Sequence, residues 1–118
     1  MNELDKLREM LTEANIPFES YQEKHPALLS DNDFWKNNFM LCAERYGECG
    51  IYGRNQIIYG RTGEHSWKLD GVCQYGSYGA NEGMIETYGE LGTDGDGEPR
   101  VLNAEQVFEI IKADFEKQ

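Results

Sequence analysis

The chain has 118 residues, with 22 acidic against 11 basic side chains and a formal net charge of −11. That length suits one domain with a single core and needs no covalent staples. Such an acidic surface opposes contact with nucleic-acid backbones and anionic membranes, steers toward basic partners, and equally serves plain solubility.

Asn2 to Ala14 reads as an amphipathic helix, with Leu4, Leu7, Leu11 and Ala14 on one stripe. Asn2 and Asp5 make a capping-box-like start, while Asn15 and Pro17 end the helix. Phe18 to Tyr21 is expected as a short edge strand, and Pro26 with Asp31-Asn32-Asp33 punctuates a loop. Phe34 to Tyr46 is expected as helix first and strand second. Phe34, Asn38, Leu41 and Arg45 make a poor helical stripe, whereas Phe39 to Ala43 is a short apolar run.

Gly50 to Arg54 and Gln56 to Arg61 each contain Ile-Tyr-Gly-Arg, which predicts two neighbouring strand ends or a hairpin. Trp67 to Tyr75 alternates, with apolar Trp67, Leu69 and Cys73 at odd positions, so it reads as a half-buried strand. A glycine-bearing loop follows over 76–83, then a strand over Met84 to Leu91 that places Glu82, Met84 and Glu86 on one side. Gly92 to Pro99 is expected as an acidic turn. Asn103, with Gln106 three residues on, starts a final helix whose apolar face is Val107, Ile110, Ile111 and Phe115. The expected fold is α+β over residues 1–118, an antiparallel sheet of about four strands covered by the N- and C-terminal helices.

Six of the seven tyrosines precede glycine: Tyr46, Tyr52, Tyr59, Tyr75, Tyr78 and Tyr88. The pair suits a strand end that the chain leaves at once, and it also matches recognition surfaces that combine rigid aromatic contact with adaptable backbone.

The segments Asn55-Gln56-Ile57-Ile58-Tyr59-Gly60, Gly76-Ser77-Tyr78-Gly79, Gly83-Met84-Ile85-Glu86 and Leu102 to Val107 resemble uncharacterised small proteins encoded in phages and prophages of Gram-positive bacteria. Leu7 to Phe18 is similar too, so the likeness covers most of the chain. It implies a genomic setting and no catalytic residue.

Several chemistries are weighed and set aside. Asp94-Gly95-Asp96-Gly97-Glu98 alternates oxygen ligands, but Pro99 stands where a calcium loop needs glycine. Cys42, Cys49 and Cys73, with His25 and His65, lack the paired spacing of a zinc site or a disulfide framework, so the thiols are expected to be buried. Residues 76–83 lack the lysine and hydroxyl of a phosphate loop. The charged N-terminal segment and the absence of a long apolar run predict a cytoplasmic protein with no membrane contact.

The resulting expectation is a non-enzymatic, acidic protein-binding module without cofactor or metal. Its setting suggests a phage-type inhibitor that occupies a basic groove on a host nuclease or CRISPR effector. The candidate binding residues are Tyr75, Tyr78, Glu82, Glu86, Asp94 and Asp96, because they join the tyrosine–glycine cluster to the last 37 residues, where ten acids face three bases. The alternative is a phage accessory protein of another role, or a small enzyme whose site assembles only in three dimensions. A pocket joining His65 or a cysteine to a carboxylate would mark the enzyme.

Overall fold

The computed structural model describes the whole chain, Met1–Gln118. Three α-helices, α1 (Glu3–Glu13), α2 (Asp33–Ala43) and α3 (Ala104–Phe115), accompany five strands: β1 (Glu19–Lys24), β2 (Tyr52–Gly63), β3 (Ser66–Val72), β4 (Ile85–Tyr88) and β5 (Arg100–Leu102). The strands form one antiparallel sheet in chain order, so each pairs with its sequence neighbours. None of the helices is long and apolar enough to cross a membrane.

The terminal helices form for local reasons and stay for tertiary ones. The Asn2 side chain accepts the Asp5 amide, and Asn103 exchanges a full capping box with Gln106. Leu4, Leu7 and Leu11 of α1 then meet Val107 and Ile111 of α3 in one buried cluster with Ile57, Leu69, Ile85 and Leu102 of the sheet. Each such aliphatic side chain contributes about 1.5–3 kcal/mol on burial, which outweighs the marginal stability of helices this short. Glu3 adds a cross-brace, accepting the Ala104 amide at 2.9 Å at the start of α3, and that bond holds its carboxyl below the usual range.

Three sequence expectations need correction. The two Ile-Tyr-Gly-Arg segments are not a hairpin: from Tyr52 onward they lie in one continuous strand, β2, with Asn55 buried between them. Residues 34–46 contain no strand: after α2 comes a 3-10 segment, Glu44–Ile51, kinked at Tyr46 and Gly47. Glu82 is not part of β4; it lies in a 3-10 turn, Ala80–Glu82, that ends at left-handed Gly83. The short β5 is an additional strand, and Leu102 brings it into the core.

Five of the six tyrosine-paired glycines, Gly47, Gly60, Gly76, Gly79 and Gly89, have positive φ. The motif therefore marks places where the backbone turns left-handed, only some of them strand ends. At Gly89 space forbids a side chain as well, since a Cβ would lie 2.8 Å from the Lys68 carbonyl oxygen.

Candidate protein-binding surface

Strand register sorts the sheet residues between two faces. Ile57, Tyr59, Leu69 and Ile85 enter the helix-covered core. The opposite face carries the row Tyr21–Gln56–Val72–Glu86–Val101, read across the five strands. Its polar members are linked side by side: the Arg54 guanidinium stacks 3.7 Å above the Tyr21 ring and donates to Gln56, which donates to Asp70 at 2.8 Å. Burial pushes the Asp70 carboxyl up, with the Gln56 bond opposing that shift.

The six candidate residues occupy different settings. Tyr78 and Glu86 do meet: Glu86 is only 5 % exposed and accepts the Tyr78 backbone amide at 3.1 Å. Burial, then the Glu86 contact, pushes the Tyr88 phenol up to about 12. Glu86 is thus a buried acceptor that positions the 74–84 turn, while the Tyr78 ring is 76 % exposed. Glu82 lies beside Met1, Asn2 and Glu48. Asp94 and Asp96 sit in the exposed β4–β5 connection, where one Asp94 oxygen accepts the Asp96 and Glu98 amides at 2.8 and 3.0 Å.

Tyr75 belongs to an aromatic stack that sequence reasoning missed. His25 lies on Phe39 with ring centroids 4.3 Å apart, Phe39 meets Tyr75 at 5.1 Å, and Tyr46 meets Tyr75 edge-on at 4.9 Å. The stack gathers the turn after β1, α2, the 3-10 segment and the turn after β3. It forms the footing of α2, which is capped by Asn32 and buries only Phe39 and Ala43, one turn apart.

The outer side of α2 is apolar. Phe34, Trp35 and Leu41 are 72 %, 63 % and 66 % exposed, Met40 is exposed on a flank, and Leu29 projects from the preceding turn. Phe34 and Leu41, an i,i+7 pair, lie roughly opposite Phe39 and Ala43, whereas Trp35 and Cys42, a second such pair, lie on the flank between that line and Phe39. The stripe Phe34–Asn38–Leu41 is thus real and helical, and it points to solvent. Cys42 is exposed beside Trp35, contrary to the expectation of a buried thiol, whereas Cys49 and Cys73 are buried. Asp31, Asp33 and Glu44 are exposed at the ends of α2, with only Lys36 and Arg45 of opposite sign between residues 31 and 48.

One shallow concavity of about 300 Å³ is lined by Pro17, Phe18, Ile58, Tyr59 and Phe115, with Glu19 and Arg61 at its wall. Arg61 donates to both Glu19 oxygens, which holds the Glu19 carboxyl near 2, so these charges neutralise each other. Its wall contains no histidine or cysteine, and His65 stands exposed in the β2–β3 turn. Comparison with family models, with curated proteins and with solved structures returns no match for this chain.

Proposed function

We propose that the chain is an acidic protein-binding module that lays the outer face of α2 into an apolar groove on a protein of net positive charge. The observation that carries the reading is the exposure of Phe34, Trp35 and Leu41 together on a helix held from behind by Phe39 and Ala43. A contiguous apolar patch with a charged rim is what an interface core and rim require, and amphipathic helices dock in grooves through i,i+3/i+4/i+7 anchors. The net charge of −11 supplies the complementarity: it favours a cationic partner, opposes a second copy of this chain, and opposes base stacking on a nucleic acid. The narrower form is a phage-type inhibitor of a host nuclease or CRISPR effector, in which carboxylates stand in for phosphates. That form is supported by the acidity and the sequence resemblance.

The test is capture of partners from a bacterial lysate at low and high salt, followed by binding kinetics with the isolated partner. Trp35→Ala with Leu41→Ala should weaken binding at least tenfold, mostly through faster dissociation, because anchors act at short range. Amide replacement of the exposed Glu82, Asp94 and Asp96 should slow association and flatten its salt dependence. A captured partner that binds the α2 variant as tightly as the parent would overturn the reading. So would a concentration-dependent dimer that Trp35→Ala abolishes, since α2 would then be a self-interface.

A further inference from the structure

The buried thiols of Cys49 and Cys73 take no part in the proposed surface. Cys49 closes the 3-10 segment Glu44–Ile51, and Cys73 immediately follows β3. Both are fully buried, and their sulfurs stand 2.7 Å apart. That is within about 1 Å of the ~2.05 Å length of a sulfur–sulfur bond. Asn55 holds the two cysteines in place. Its Nδ2 donates to the Cys73 carbonyl at 2.9 Å and reaches Cys49 Sγ at 3.8 Å.

We propose that Cys49 and Cys73 form an intramolecular disulfide when the protein meets a low-molecular-weight disulfide oxidant. The two thiols are not equivalent. Cys49 Sγ accepts from the Cys73 thiol and from Asn55, and the Cys73 contact, first of all, lowers its pKa against the opposing effect of burial. The same contact, followed by burial, pushes the Cys73 thiol up. Cys49 is therefore the attacking thiolate. Its sulfur bonds to one sulfur of the oxidant RS–SR and expels RS⁻. Cys73 then loses its proton and attacks Cys49 Sγ, forming the internal bond and expelling the second RS⁻. Two electrons pass from the protein dithiol to RS–SR, and the two thiol protons end on the two RSH products. Because neither sulfur is exposed, the oxidant enters when the kinked 3-10 segment opens locally. The link ties the mount of α2 to the end of β3.

Oxidised glutathione is the probe. After incubation, an acid quench, and alkylation in denaturant, Cys49 and Cys73 of the parent chain should carry no carbamidomethyl group, whereas the exposed Cys42 carries either carbamidomethyl or glutathione. Peptide mapping without reductant should join Cys49 to Cys73. In Cys42→Ser, which removes the exposed thiol, oxidation should raise Tm by on the order of 10 °C, because the bond closes a loop in the unfolded chain. Dithiothreitol should reverse that shift. Carbamidomethyl groups on Cys49 and Cys73, a stable glutathione adduct on Cys49, or intermolecular Cys42 linkage as the sole product would each overturn the proposal. The alkylation assay uses the parent protein, so it decides the matter even if cysteine variants fold poorly. It does so independently of whether α2 binds a partner.

Discussion

Arg8 Nη2 of α1 reaches Asn55 Oδ1 of β2 at 2.8 Å, joining an amphipathic helix to a fully buried amide at the centre of the sheet. The same oxygen accepts from Gln22, the Asn55 backbone amide donates to Gln74, and Nδ2 donates to the Cys73 carbonyl. One side chain thus satisfies groups from β1, α1 and the turn after β3. Low local dielectric makes such a hub valuable when complete and costly when broken.

Asn55→Ala should destabilise the protein by about 2–4 kcal/mol, since it leaves the Cys73 carbonyl without its side-chain donor and takes one acceptor from Arg8, which keeps Asp5, Ser20 and the Tyr21 carbonyl. Urea unfolding measures this directly. A change within experimental error would mean that solvent reaches the site and replaces the bonds.

Ile111 is fully buried between α1 and the sheet, whereas Phe115 is only partly buried at the helix end. Ile111→Ala should therefore cost on the order of 2–5 kcal/mol. Phe115→Ala should cost less despite the larger side chain. An unchanged thermal midpoint for Ile111→Ala would remove α3 from the core.

The terminal helices were legible because cap and period agree at each, Asn2 with Leu4/Leu7/Leu11 in one and Asn103/Gln106 with Val107/Ile111 in the other, and the first also has its terminator in Asn15. Agreement across levels is what makes a local pattern dependable. The strand character of β2 was legible but its continuity was not, because Asn55 interrupts an apolar pattern and only tertiary hydrogen bonds reward its burial. β5 is three residues long, too short for any period. For the surface, Tyr78 was readable as an exposed aromatic, but Glu86 was misplaced among steering charges because burial does not show in a charge count. The α2 face left a signal in Phe34 and Leu41. Sequence alone does not say which side of a weakly amphipathic helix meets the core, and the His25–Phe39–Tyr75 stack settles that only in three dimensions.

Two tyrosines should report on alkaline stability. Burial first, then the bond to Asp114 at 2.7 Å, pushes the Tyr59 phenol up to about 12, and burial followed by the Glu86 contact does the same for Tyr88. Below pH ~10 both phenols are protonated in folded and unfolded chains, so their contribution to stability is fully present and does not vary with pH. Between about 10 and 12 the unfolded chain releases protons that the folded one retains, so stability falls as pH rises. The urea midpoint should drop across that window, and less so in Tyr59→Phe. Ultraviolet titration should show two phenols ionising near pH 12. Seven phenols titrating together near 10 in the folded protein would contradict the assignment.

The glycines after tyrosine should separate by what surrounds them. Gly76 and Gly89 have similar φ, 86° and 91°, yet a Cβ on Gly76 would meet open space while one on Gly89 would press on the Lys68 carbonyl and Leu69 Cα. An alanine at either position is forced into a left-handed conformation, which costs about 1–2 kcal/mol. Gly76→Ala should show that cost alone. Gly89→Ala adds a backbone collision between β3 and the end of β4, for a total on the order of 3 kcal/mol or more. β3 lies between two paired strands and cannot yield without disturbing both ladders. Thermal unfolding of the two variants side by side makes the comparison, and equal losses would show that the turn at Gly89 relaxes away from β3.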